Sequence, residues 1–269
     1  MNWDTLFDPL FRIPFAAGLL LALLLPIVGV LLRLRDEWLA ALGLAHLAGA
    51  SGLVGLAAGI PAVLGAPLGA LAGGLLKSFG RFRGNTIYAL MILIGWAATL
   101  LVAANTALGS VMGHALVEGQ LYFAGNTHMT SALVYTIAAI LLLPRMIPVL
   151  VRTRLFPGLV TPDERSARRQ LGFDALVALG MALGTGTLGL MAAFALVFLP
   201  PWVAFRRASH WRACLIISAG LGAVAYILAF VVALLWDQPF GPTLVAVLAA
   251  LAGVAMVAKG RATPPFAAN

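Results

Sequence analysis

Long uncharged apolar runs alternate along the chain with short stretches that hold nearly all of its charge. The first run, Pro14–Leu32, is 19 residues long and stops against Arg33 and Arg35. Trp38–Leu76 follows with 39 uncharged residues, the length of two membrane crossings at roughly 20 residues each. Pro61 and the glycines around it supply a break, which divides the run into Trp38–Ile60 and Pro61–Leu76. Thr86–Leu108 comes next, then Met129–Leu143 with Pro144 and Pro148 near its exit, and later Ala213–Trp236 and Pro242–Ala258. In lipid such runs must be helices, because a helix satisfies its own backbone hydrogen bonds. The pattern predicts an all-α fold, a polytopic transmembrane helical bundle of about eight membrane segments forming a single domain over residues 1–269. The tail 261–269, with Pro264 and Pro265, reads as flexible.

Ala175–Phe205 does not fit one ordinary crossing. It has 31 uncharged residues, too many for one span and too few for two. Its middle is rich in Gly and Thr (Gly180, Gly184, Thr185, Gly186, Thr187, Gly189), which weakens a continuous helix. Both flanks are basic, Arg165, Arg168 and Arg169 before it and Arg206, Arg207 and Arg212 after it. Two flanks on one side of the membrane require a broken, partly re-entrant hairpin, and broken backbone at membrane depth survives only inside protein or beside a water-filled cavity. The stretch is therefore a candidate lining for a pathway. The alternative is one long tilted helix.

Composition agrees with this pattern. Hydrophobic residues make up 62% of the chain and charged residues 10%, against roughly 45–50% and about 25% in a soluble domain. A soluble enzyme and a nucleic-acid-binding module are both excluded, despite the net charge of +8. The charge has a topological explanation. With the N-terminus outside and the spans alternating, 16 of the 17 basic residues fall on the cytoplasmic side and only Arg12 outside, with the C-terminus cytoplasmic. Asp4 and Asp8 near the N-terminus, with Arg12 alone before the apolar run, do not make a secretory signal, so the first run is expected to be a true span. The single cysteine, Cys214, excludes an internal disulfide and a thiolate metal cluster and reads as a packing residue.

No acid lies inside the early spans, which weakens an ion-coupled secondary transporter. No Walker A pattern is present, so ATP hydrolysis would need a partner chain. His46, two turns into the second span, is the titratable side chain of the membrane interior in the first half. It reads either as a hydrogen-bonded packing histidine or as a ligand for a divalent ion. Asn105, Thr106, Ser110, Thr185 and Thr187 are weaker pathway candidates, and His114 and His128 flank an outer loop. Small residues at four-residue spacing, Gly55/Gly59 and Gly65/Gly69/Gly73, suit close helix packing. The segment Arg152–Phe173 reads as a polar, amphipathic loop.

Three segments resemble ABC-3 type permeases. Gly29–Arg35 through Leu44–Gly49 resembles the family's arginine pair followed by a Gly-Asp-x-x-x-His run. Gly186–Arg207 resembles its Gly-rich entry, apolar run, Pro-Ala-Ala turn and basic exit, here with Pro200 and Pro201. Trp236–Val245 is similar to its Tyr-x-x-x-Pro-x-Gly-Pro segment before the last helix, and Gly119-Gln120-Leu121 stands where the family often has Phe-Gly-Asp-Leu-Leu. The resemblance implies the membrane permease subunit of a bacterial ABC importer in the cytoplasmic membrane, carrying zinc, manganese or iron and holding no permanent cofactor. It also implies a second permease chain, ABC ATPase subunits that bind the ATP, and an extracytoplasmic substrate-binding protein. Residues 204–212 match the family's coupling helix, so Arg206, Arg207 and Arg212 would contact the ATPase. His46 would touch metal, with Asn105, Gln120, Thr185 and Thr187 along the pathway. The family's Asp four residues before the His falls on Leu42, and Gln120 replaces an acid of the outer loop. An Asp/His pair at that spacing shares one helix face, whereas Leu42 cannot ligate. The cargo is accordingly expected to be an unusual metal, a chelate or another small solute if it is not a plain ion.

Overall fold

A computed structural model describes residues 8–79, 85–106, 121–155 and 164–257. Among them are nine α-helices: α1 Arg12–Leu34, α2 Trp38–Ala57, α3 Ala62–Phe79, α4 Asn85–Asn105, α5 Asn126–Leu155, α6 Glu164–Leu188, α7 Leu190–Arg207, α8 Trp211–Trp236 and α9 Phe240–Val257. Eight of these are long and apolar enough to cross a membrane; α3 is a shorter apolar helix over Leu64–Lys77. The expected helical bundle of about eight membrane segments is what the chain forms.

Each boundary has a local cause. Asp8 accepts a hydrogen bond from the Leu10 amide at 2.9 Å and so caps the short 3-10 turn, Pro9–Phe11, that leads into α1. The break expected at Pro61 is made by Gly59, at φ +78°, and the following proline. The run Met129–Leu143, with prolines near its exit, lies within α5, which continues through Pro144 and Pro148 to Leu155. Neighbouring groups in a membrane bundle can take up the carbonyls that proline leaves without a partner. Arg152–Phe173 is not a loop throughout, because α5 extends to Leu155 and α6 begins at Glu164.

The stretch Ala175–Phe205 is a hairpin. Gly189, at φ +94°, makes the reversal, a conformation that L side chains rarely adopt. A methyl group on Gly184 would lie 2.9 Å from Ala193 Cβ, so the chain has doubled back. Asp174 meets Arg35, and Phe205 carries the Arg33 guanidinium 5.7 Å from its ring centroid, so both legs start and finish at the C-terminal end of α1. One long tilted helix is thereby ruled out. Asp174 precedes Gly189 by 15 residues and Phe205 follows it by 16, a reach of about 23 Å at 1.5 Å per residue. Arg12 to Arg35 spans 23 residues, about 34 Å, so the turn stops about 10 Å short of the far end of α1. The turn is buried, with Leu188 and Ala192 fully enclosed, which is what interrupted backbone at this depth requires.

The helices fall into two sets. Against α1 pack α5, α6, α7 and α8, with α9 completing the set against α7 and α8. Against α2 pack α3 and α4, and α4 touches little else. The sets meet where α2 and α3 lie on α6 and α7, whereas α1 and α2, consecutive in the chain, barely touch. Large apolar side chains left exposed on α4 (Leu93, Leu101) and α5 (Val134, Ile140) face outward, as lipid contact demands.

Contacts within the first set are very close. A Cβ at Gly29 would overlap the Val197 carbonyl of α7 and lie 2.8 Å from Pro201 Cγ; one at Gly222 of α8 would lie 2.5 Å from the Ala22 carbonyl. Gly29→Ala is expected to lower stability by about 1–3 kcal/mol, the range for overpacking. Gly220→Ala, which would meet nothing within 4 Å, should change it by about 1 kcal/mol or less in either direction. Thermal unfolding of the purified protein in detergent compares the two.

Candidate functional site

α2 carries His46 into the bundle, where it is 8% exposed. Its Nδ1 lies 2.9 Å from the Leu42 carbonyl, one turn back on its own helix, and its ring centroid is 5.8 Å from that of Trp96 on α4. The helices meet there because Gly95 of α4 has no side chain: a Cβ would stand 2.6 Å from the His46 backbone. The Leu42 bond orients the ring and occupies Nδ1, which leaves Nε2 as the nitrogen able to meet a cargo.

Thr185 of α6 approaches the same stretch of α2. Its Cγ2 would be 3.8 Å from a methyl group on Gly49, three residues after His46. Thr185 is 1% exposed and its Oγ1 has no hydrogen-bond partner. Other helical hydroxyls in the chain bond one turn back: Ser51 to Leu47, Thr99 to Gly95, Thr136 to Ala132 and Thr243 to Pro239. A buried unpaired hydroxyl costs roughly 1–3 kcal/mol, so its presence against the Gly49 stretch of α2 marks a polar point on the interface between the two helix sets. Thr187 is also buried.

The remaining candidates are not gathered at this point. Asn105 is exposed at the end of α4 and donates to the Leu101 carbonyl at 2.7 Å. It lies ten residues beyond Gly95, about 15 Å along the helix. Gln120, Ser110 and His114 lie outside the described residues. Among the described residues no three His, Cys, Asp or Glu side chains come together as a metal site, so His46 has no ligand cluster around it there.

Residues 204–212 do not form a helix of their own. Ala204–Arg207 are the last turn of α7, residues 208–210 make the link, and Trp211 opens α8. The helix expected over 204–212 is thus corrected to a tight link between two long helices. Arg206 and Arg212 are exposed there and Arg207 is half-buried. The Arg206 guanidinium sits 4.5 Å from the Trp202 ring centroid and reaches Met256 Sδ of α9 at 3.5 Å.

At the same end lies a ring of charge. Arg35 Nε is 2.8 Å from Glu37 Oε2, and its NH1 is 3.0 Å from Asp174 Oδ1. Lys77 Nζ is 2.8 Å from the same two oxygens. The four side chains are 10–22% exposed, and the Arg35 guanidinium also lies 5.4 Å from the Phe173 ring centroid. Directly behind the ring is a small cavity lined by Leu44, Gly73, Tyr88, Met91 and Val177. Reading the sequence for acids inside spans missed this ring, because Lys77 and Asp174 border apolar runs and Arg35 and Glu37 share a junction. The available signal was that both long runs, Trp38–Leu76 and Ala175–Phe205, have an opposite charge immediately at one edge.

Two solved structures share the arrangement. PsaBC from Streptococcus pneumoniae in complex with Fab superposes with a TM-score of 0.81 and 14% identity, over 97% of this chain and 97% of that one. An ABC transporter of metal-chelate type, in an inward-facing conformation, superposes with a TM-score of 0.65 and 16% identity, over 96% and 92% of the two chains. No protein-family model and no curated protein sequence matches the chain. The fold defines a multi-pass helical bundle with the ABC transporter permease fold.

Removing one member of the charge ring leaves an excess of one sign in a partly desolvated place. Breaking a fully buried pair costs 3–5 kcal/mol; at this partial exposure Asp174→Ala should cost about 2 kcal/mol. Asp237→Asn, at an exposed left-handed position outside the ring, should be near neutral. Thermal melting in detergent, with the Asp174 effect shrinking at high salt, checks both.

Proposed function

We propose that the chain is the membrane permease subunit of a bacterial ABC importer for a transition metal (zinc, manganese or iron), not itself an enzyme and without a resident cofactor. ATP would be hydrolysed by separate ATPase subunits, and an extracytoplasmic binding protein would deliver the cargo to a pair of permease chains. The carrying observation is the match of the permease fold over 97% of the chain. The Arg35 end, where the basic residues gather, is read as cytoplasmic, with the N-terminus outside and the C-terminus inside.

His46 and Thr185 are the interior positions that this reading assigns to the cargo. One imidazole and one hydroxyl hold a divalent ion weakly, and a transport site must release what it binds. The link between α7 and α8 presents Arg206, Arg207 and Arg212 to the ATPase. A rigid link with helices on either side can pass a displacement to both.

A second reading has its own observation. Leu42 stands where the resemblance places an aspartate, and its carbonyl occupies His46 Nδ1. A cargo that arrives with its own ligands, a metal chelate, needs no carboxylate there, and an ABC transporter of metal-chelate type shares the fold.

Cells lacking the protein, starved in turn of zinc, manganese and iron, should show a deficit in one metal that the wild-type chain restores. His46→Ala should restore it poorly at limiting metal, by roughly tenfold, at equal protein level. Equal restoration, or no deficit in any metal, turns the reading toward chelates and other small solutes. Separately, Arg206→Glu with Arg207→Glu should leave membrane insertion intact and uncouple ATP hydrolysis from uptake in the assembled transporter. Unchanged coupling removes the ATPase contact from this link.

A further inference from the structure

Each helix set brings one cation and one anion to the charge ring. Arg35 at the C-terminal end of α1 pairs with Asp174 of α6, within the first set. Glu37 at the start of α2 pairs with Lys77 of α3, within the second. Two further contacts, Lys77 to Asp174 and Arg35 to Glu37, cross between the sets. Arg35 and Glu37 flank Asp36 and stay close across that turn, so separation would break the Lys77–Asp174 contact and strand no charge, since each acid keeps a cation of its own. A staple built from one lone pair across the boundary would lack that property, because opening it would leave two partly desolvated ions unpaired.

The boundary behind the ring is smooth. α3 meets α6 at Gly74, where a methyl group would lie 3.9 Å from Ala178 Cβ, and α2 meets α6 at Gly49 against the Thr185 methyl at 3.8 Å. These are ordinary contacts that can slide. Inside the second set the helices interlock: a Cβ at Gly69 of α3 would overlap Ser51 Oγ of α2, and Gly95 of α4 sits against the His46 backbone. The chain passes between the sets twice, at Arg35-Asp36-Glu37 and between α4 and α5 over residues 106–125; at the first, Asp36 is at φ +59°, a left-handed turn in a residue other than glycine. The unpartnered Thr185 hydroxyl lies on the same boundary.

We propose that α2–α4 move as one body against α1 and α5–α9 about the turn at Asp36, and that Arg35, Glu37, Lys77 and Asp174 form the reversible latch that holds the two bodies together at that end. Arg33, two residues before the latch, stacks on Phe205 beside Arg206, so the end of α7 and the latch share the end of α1. The mechanical proposal does not depend on what the protein carries or on an ATPase.

The test uses the full chain in lipid nanodiscs with Cys214→Ala and spin labels at Leu76→Cys on α3 and Ile216→Cys on α8, both exposed positions. A second labelled pair, Leu141→Cys on α5 with Ile216→Cys, stays within one body and serves as control. With the latch intact the 76–216 pair should give one narrow distance distribution. Lys77→Met removes a cross-contact, and the longer-distance population should rise roughly tenfold, the effect of about 1.4 kcal/mol, while the 141–216 distribution stays fixed. An unchanged 76–216 distribution overturns the latch, and so does an equal change in both pairs, which would mean general loosening. If Lys77→Met does not fold, rising salt on the unaltered ring must lengthen the 76–216 distance and spare 141–216; no lengthening overturns the proposal. Failure of metal uptake with a latch that opens as described would count against the transport reading alone.

Discussion

Lipid tails are as apolar as leucine, so burying leucine against leucine does not draw membrane helices together. This bundle is held instead where backbone can approach backbone. Val197 O and Pro201 fill the space over Gly29, Ala22 O and Pro26 fill that over Gly222, and the Tyr226 ring covers Gly18 while its hydroxyl donates to the Phe15 carbonyl at 3.0 Å. All three places involve α1. They explain why α1 is the post around which α5, α6, α7 and α8 stand, and why the hairpin of α6 and α7 can be buried with its turn below the membrane face. The Gly189 reversal is tolerable only because the post is already there to enclose it.

The same constraint separates the second helix set from the first. α2, α3 and α4 have their own close contacts through Gly69 and Gly95, and those contacts point toward each other and not toward α1. Among the described residues the sets meet through methyl contacts at Gly49 and Gly74 and through the Trp38 ring on Phe198, 5.1 Å between centroids, with the Thr185 hydroxyl and the ring of four charges as polar points. Electrostatics is strong at that ring because the side chains are largely out of water, and it is local because it sits at one end of the helices. A bundle with interlocked halves and a smooth seam has one soft direction, and its ions mark where that direction is restrained.

Most of the fold was legible in the sequence because the bilayer fixes both the length and the helical state of an apolar run. Pro14–Leu32, Trp38–Ile60 and Ala213–Trp236 lie on α1, α2 and α8 to within a few residues, and basic flanks on both sides of Ala175–Phe205 pointed to a reversal. The length of α5 beyond the uncharged run was not legible, since Pro144 and Pro148, a helix stop in water, are only a local irregularity in a bundle. The site was less legible. His46 could be picked out by rarity, but its orientation depends on a carbonyl four residues away and on a glycine of α4. The charge ring draws on residues 35, 37, 77 and 174, and nothing in the spacing of four charges at the edges of apolar runs says that they meet. That information resides in the close contacts, which a one-dimensional pattern of apolar and polar positions does not contain.

The polar content of the seam also bears on how a cargo could pass. A carboxylate beside His46 would make a tight divalent site, and tight binding at mid-membrane slows release. Leu42 has no carboxylate to offer, and the backbone carbonyl at that position holds the imidazole through Nδ1. Thr185 adds a hydroxyl that is already desolvated and has no bond to give up. Thr185 lies on the boundary between the two helix sets, whereas His46 packs on Gly95 and Trp96 of α4 within the second set. A shift of that boundary would move the Thr185 hydroxyl along α2 from its place near Gly49. A polar contact on such a seam differs between the two arrangements, and only a difference of that kind lets a bound ligand shift the balance between them.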